Sequence, residues 1–143
     1  MTVRSILEEK GYNVETIGAG ATLREAAEVM AQKRIGALVV TDRERRVIGI
    51  LSERDLVRVI GLEGPERLDD EVGAVMTTKV VTCDSNETVP QLMEQMTAGR
   101  FRHMPVVQAG KLIGLVSIGD VVKHRLAEFE RESSAMREYI LST

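Results

Sequence analysis

Flat rings are nearly absent from this chain: two Phe, two Tyr and no Trp, or 3% of 143 residues. With so little to stack on a base, and a net charge of −3 that attracts no polyanion, DNA and RNA are not expected partners. The single cysteine, Cys83, excludes an internal disulfide framework and reads as an inert buried thiol. The two histidines lack i, i+4 spacing, so no metal site is expected. No apolar run reaches the length of a membrane span, and the N-terminus lacks the basic-then-apolar layout of a signal peptide. A cytoplasmic protein without membrane contact is expected. Also missing are a Gly-rich dinucleotide fingerprint, a P-loop and a nucleophile with a base nearby. Neither catalytic residues nor a catalytic cofactor are therefore expected, and the chain does not read as an enzyme.

What is present is a soluble, globular composition, 43% hydrophobic and 29% charged, in a chain long enough to bury a core. Its organising feature is a repeat. Val47-Ile48-Gly49-Ile50-Leu51-Ser52-Glu53-Arg54-Asp55-Leu56 returns as Leu112-Ile113-Gly114-Leu115-Val116-Ser117-Ile118-Gly119-Asp120-Val121, with both serines and both aspartates 65 positions apart. Each copy reads as a buried strand running into a helix, Ser as N-cap and an acidic residue at N3. Such a helix start presents free N–H groups and the positive end of the helix dipole to an anion. A Ser hydroxyl can donate to phosphate, and an Asp carboxylate can accept two hydrogen bonds from a ribose diol. One copy alone is an ordinary capping arrangement. Two copies that keep both Ser and Asp, each followed one turn on by a cation (Arg58, Lys123), point to a nucleotide.

In chain order, Val3 to Glu9 reads as a helix with Val3, Ile6 and Leu7 on one side, ended at Lys10-Gly11. Val14 and Thr16 suggest a short strand. Thr22 caps a helix with Leu23, Ala26, Ala27 and Met30 at i, i+3, i+4 and i+7. Ile35 to Val40 is a strand, and the Ser52 helix is expected to run to about Ile60 before Gly61. After a polar link, residues 62–71, the second half repeats the order: Val80 and Thr82 match Val14 and Thr16, and Thr88 matches Thr22. Met104 to Val107 are read against Ala37 to Val40, with the helix before the first of these strands one residue shorter. The fold class is α/β (α+β): two β-α-β-β-α repeats packed sheet to sheet about a pseudo-twofold axis, with a C-terminal helix. The divisions are 1–61 (first repeat with an N-terminal helix), 62–71 (linker), 72–127 (second repeat) and 128–143 (helical tail), in one module.

These motifs resemble the tandem cystathionine-β-synthase (CBS) domain pair, or Bateman module. The resemblance rests on both Gly-φ-φ-Ser-x-x-Asp ends, on Ile35-Gly36-Ala37-Leu38-Val39-Val40 beside Arg102-His103-Met104-Pro105-Val106-Val107, and on Val75-Met76-Thr77. It implies a regulatory module binding AMP, ADP, ATP or NAD between the repeats; S-adenosylmethionine shares the adenosyl group. By that likeness Asp55 and Asp120 take ribose hydroxyls, while Ser52 and Ser117 contact phosphate. The base lies near Gly36 and Ala37 in one cleft and near Arg102, His103, Met104 and Pro105 in the other. Lys10 and Thr16 face the Ser117 site; Thr77, Thr78 and Val80 face the Ser52 site. The cations of the second repeat lead to the expectation that its cleft binds a charged nucleotide more tightly.

Unlike many such proteins, this one is expected to act without an effector domain of its own, so the output is expected to go to an unidentified partner protein or through a change of assembly. Val122, Leu126, Phe129, Ser133, Met136 and Ile140 form a heptad-like stripe. It reads as a self-association surface of a homodimer, the alternative being a helix folded back on its own domain. The competing functional reading is a dimeric scaffold whose clefts bind nothing.

Overall fold

The computed structural model describes residues 1–142. Thr143, the last residue of the expected tail, lies outside the described residues. In chain order come α1 (Val3–Lys10), β1 (Thr16–Ile17), α2 (Leu23–Lys33), β2 (Ala37–Thr41), β3 (Val47–Ser52) and α3 (Glu53–Glu63). Two 3-10 turns (Pro65–Asp69, Val72–Ala74) lead to α4 (Val89–Gly99), β4 (His103–Gln108), β5 (Lys111–Ser117) and α5 (Ile118–Ser142).

Hydroxyl caps set the helix starts. Thr22 Oγ1 accepts from Glu25 N at 3.1 Å, and Thr88 forms a full capping box with Gln91. In the first sheet β1 runs parallel to β2, and β2 antiparallel to β3. The second sheet is the β4–β5 hairpin. Its counterpart of β1 is a single parallel bridge at Cys83, whose amide donates to Pro105 O at 3.0 Å and whose carbonyl accepts from Val107 N at 2.8 Å. The β-α-β-β-α order thus appears twice.

The register corrects the expected correspondence of the repeats. Ala37 pairs with Ser52 as His103 pairs with Ser117, so His103, Met104 and Pro105 match Ala37, Leu38 and Val39. The two helices α2 and α4 are equally long, 11 residues each. The missing residue lies instead in the second hairpin, where Ala109 and Gly110, both at positive φ, make a tight turn in place of the Asp42–Arg46 loop. A strand of continuous apolar residues carries no mark of register, which is why the slip is invisible in sequence.

The halves are swapped at their leading segments. Val3, Ile6 and Leu7 of α1 pack in the core of the second half with Leu92, Met96, Met104 and Val116. Val72, Val75 and Met76, which lead into the second repeat, pack in the core of the first. The repeated glycines make room for this crossing. A Cβ on Gly114 would lie 2.8 Å from Leu7 Cδ2, and one on Gly49 would collide with the Met76 sulfur. Burying a leucine such as Leu7 fully is worth about 1.5–3 kcal/mol, so the crossing ties the halves together. Leu38 and Val40 face the helices in the first core, whereas Ala37 and Val39, also buried, belong to the opposite face of β2.

Gly61 does not end α3. The helix runs to Glu63 and stops at Gly64, φ 95°, with Pro65 following. An interior glycine weakens a helix by only about 1 kcal/mol, whereas Gly-Pro ends it outright. The connection is ordered: Arg67 pairs with Glu63 and Asp70, and Glu71 bridges to Thr22. At the far end α5 is one helix of 25 residues that does not fold back; every described residue after Glu128 is exposed.

Candidate functional site

Both Ser-x-x-Asp copies form the same local structure. Ser52 N donates to Asp55 Oδ2 at 2.9 Å and Asp55 N to Ser52 Oγ at 3.3 Å; Ser117 N donates to Asp120 Oδ2 at 2.9 Å and Asp120 N to Ser117 Oγ at 3.1 Å. Each carboxylate is therefore locked at a helix start. The two differ in what else meets them.

Asp55 is buried and accepts from Arg58 Nη2 at 2.9 Å through Oδ1, on the oxygen opposite its cap. It opens on a cavity of about 320 Å³, within the range of small-molecule sites. The floor is Gly36, Ala37 and Ile50; Ser52 and Asp55 stand on one wall, and Thr77 and Val80 come from the segment leading into the second repeat. That segment is held by a bridge between Thr77 and Ile50, with hydrogen bonds of 2.9 and 3.0 Å. Arg54, Lys79, Arg100 and Arg102 also line the cavity, against the acidic Glu53 and Asp55.

Asp120 instead meets Lys10. The Lys10 ammonium, at the end of α1, donates to Asp120 Oδ2 at 2.7 Å and to Leu115 O at 2.8 Å. Burial pushes the Asp120 carboxyl up, but the Lys10 and Ser117 hydrogen bonds outweigh it and hold the group below its ordinary value. His103 stands between the two motifs, within the fields of Lys10 and Asp120 on one side and Glu53 on the other. Burial first, then Lys10, lowers its pKa, so the imidazole is neutral at pH 7.

Of the residues singled out from sequence, Gly36, Ala37, Ser52, Asp55, Thr77, Val80, Arg102 and His103 share this one cavity. Arg102 and His103, assigned from the resemblance to the other cleft, line the Ser52 cavity, because the turn after α4 reaches across to it. Lys10 meets Ser117's partner Asp120. Thr16 lies in β1 opposite Val39, and Thr78 is exposed. Met104 is fully buried in the second core and Pro105 is buried in β4, its carbonyl taken by Cys83. Sequence reasoning passed over Glu53, Arg54, Lys79 and Arg100. The first two occupy the x-x of Ser-x-x-Asp and Lys79 lies between two residues already chosen. Arg100 ends α4 at φ 56°, a left-handed position that no glycine marks.

Three comparisons bear on this geometry. The sequence profile of the CBS domain matches residues 3–62 and again 72–127. The chain belongs to the CBS-domain family. As a CBS pair, it is 33% identical to the CBS domain-containing protein CBSX3, mitochondrial, of Arabidopsis thaliana, over 97% of this chain and 71% of that protein. It spans only 21% of the longer Arabidopsis CBSCBSPB5, also 33% identical. Among solved structures, the CBS-domain containing protein ATU1752 of Agrobacterium tumefaciens is 47% identical with a TM-score of 0.83, covering 87% of this chain and 99% of that one. The CBS domain pair of MJ0100, in complex with 5'-methylthioadenosine and S-adenosyl-L-methionine, shares the fold at 20% identity, TM-score 0.79, covering 90% of this chain and 98% of that one. Among the described residues no helix is long and apolar enough to cross a membrane, and no cluster of acidic, His or Cys side chains forms a metal site.

Proposed function

We propose that this CBS pair is a regulatory module that binds one adenine nucleotide carrying two or more phosphates, ATP or ADP, in the Ser52–Asp55 cleft. The observation that carries the reading is the pairing, in one cavity, of a carboxylate set for a ribose diol with Arg54, Lys79, Arg100 and Arg102. Asp55 has about four lone-pair sites, three of them taken by Ser52 N, Ser52 Oγ and Arg58. A ribose hydroxyl fits the fourth, and a second hydroxyl can displace the exposed arm of Arg58. The cations favour a polyphosphate over AMP, and disfavour the sulfonium of S-adenosylmethionine. NAD, whose pyrophosphate carries less charge than ATP, ranks between them.

In the second motif the Lys10 ammonium already stands on Asp120. Lys10 and Ser117 N both bond Oδ2 there, so a ribose hydroxyl has Oδ1 but sits beside an ammonium that is tied as well to Leu115 O, whereas the cation at Asp55 is the exposed arm of Arg58. The signal passes to a partner protein or to a change of assembly. No bond-making step is assigned to the cleft. The test is a thermal-shift panel of AMP, ADP, ATP, NAD and S-adenosylmethionine. A ligand at a hundred times its Kd stabilises the fold by about 2.7 kcal/mol. The reading expects ATP and ADP to shift the melting point most. A larger shift from S-adenosylmethionine, no shift from any, or steady turnover of ATP would overturn it, the second result leaving the scaffold reading in front.

A further inference from the structure

The last fourteen described residues of α5, 129–142, are all exposed, and the CBS profile ends before them at 127. A helix of that length without a packed face is marginal in water. Its apolar side chains are not scattered. Val122, Leu126, Phe129, Met136 and Ile140, with Ser133 in the middle, step by four and three along one side, and Phe129 is 70% and Leu126 59% exposed. At its base the stripe continues into a groove shared with Met93 of α4. The apolar face is thus continuous with the body of the domain.

The charges beside the stripe select its occupant. Taking Leu126, Ser133 and Ile140 as a positions and Val122, Phe129 and Met136 as d, the flanking g positions are Arg125 and Glu132, and the e positions are Lys123, Glu130 and Arg137. In a parallel pair each g residue faces the next e residue of the other chain. Arg125 then meets the partner's Glu130, and Glu132 meets the partner's Arg137, both attractive. An antiparallel pair that matches all six layers sets Glu130 against the partner's Glu130, Glu132 against the partner's Glu132 and Lys123 against the partner's Arg137, all repulsive. Arg125 now touches Glu128 at 3.4 Å within its own helix, and its five N–H groups leave donors for a second carboxylate.

We propose that α5 pairs with the α5 of a second copy of this chain as a parallel two-stranded coiled coil, fixing two CBS pairs side by side. This goes beyond the nucleotide reading and does not depend on it. The test uses the full chain in two forms of measurement. Sedimentation equilibrium is expected to give twice the chain mass, and Phe129→Glu, on an exposed position that leaves the fold intact by circular dichroism, is expected to give monomer. Orientation is read with Ser133→Cys, which places one thiol opposite itself only when the helices are parallel. Disulfide bonding needs Cα atoms within about 7 Å, which that layer provides. Background is low because burial pushes the Cys83 thiol up to about 12. Oxidised Ser133→Cys is expected to run as a covalent dimer, with Ser134→Cys, on the outer face, remaining uncrosslinked. A monomeric wild type, a dimer unaffected by Phe129→Glu, or equal crosslinking of the two variants would overturn the proposal.

Discussion

The Ser52 and Ser117 motifs share one pattern of capping hydrogen bonds and differ in the cation that meets each carboxylate. Both are capping boxes at the start of a helix that follows a β-hairpin. One carboxylate pairs with Arg58 of its own helix and faces a cavity lined by further cations; the other pairs with Lys10 from the far end of the sequence. The difference comes from what crosses over from the other repeat. Met76 and Thr77 cross onto β3 and put no cation on Asp55, whereas α1 crosses onto β5 and its last residue, Lys10, ends on Asp120. A duplicated motif therefore specifies a scaffold, and a non-local partner decides which charges stand beside it.

The comparison breaks most sharply at the carboxylates. Asp55→Ala should lower ATP affinity about 10- to 100-fold, as expected for losing hydrogen bonds to a charged group worth about 1.5–3 kcal/mol. Asp120→Ala, with an equal loss of helix cap of about 1 kcal/mol, should leave ATP affinity nearly unchanged. Titration calorimetry of both variants reads the contrast. A smaller effect is expected from Arg100→Ala combined with Arg102→Ala. Exposed charges act at up to about 1 kcal/mol each, so ATP should weaken several-fold and AMP much less, and the salt dependence of ATP binding should flatten.

Lys10→Met sharpens the comparison from the other side. It frees Asp120, and its cost in stability should be about 1 kcal/mol or less for so accessible a pair. Its signature is in pH. The Asp120 carboxyl is held below 3.8 in the folded chain, so its contribution is present above that value and lost as pH falls through the folded pKa. In Lys10→Met the Asp120 titration followed by NMR should move up, and acid unfolding should lose part of its steepness below pH 4. The smallest effect belongs to His103. Its lowered pKa means the unfolded chain binds the proton more readily, so stability falls as pH drops below about 6.5 toward the folded pKa. Protonation also adds a cation to the cleft, so the pH dependence of ATP binding measured by calorimetry should differ between the wild type and His103→Ala, the wild type retaining more affinity as pH falls.

Much of this was readable from sequence because it is local. The Thr22 and Thr88 caps, both Ser-x-x-Asp boxes and the apolar faces of α1 and α2 each need only a few neighbouring residues to be recognised, and all stand where their spacing put them. The misreadings are non-local. The threonine caps are 66 apart and the serines 65, so one residue had to be lost between them; only strand pairing places the loss in the hairpin. That slip matched Gly36 to His103, whereas pairing matches Ala37 to it. Nor does a local pattern reveal that α1 belongs to the second core, or that the turn at Arg100–His103 reaches the cleft of the opposite repeat.

The central claim, that the Ser52 motif takes the nucleotide while Lys10 reaches across to hold the Ser117 motif, is tested most directly by the calorimetric stoichiometry of ATP on the wild-type chain and on Lys10→Met. The account predicts one ATP per wild-type chain, abolished by Asp55→Ala and retained by Asp120→Ala, with a second, weaker binding event appearing in Lys10→Met. Two equivalent sites in the wild type, or a single site lost with Asp120→Ala, would contradict it.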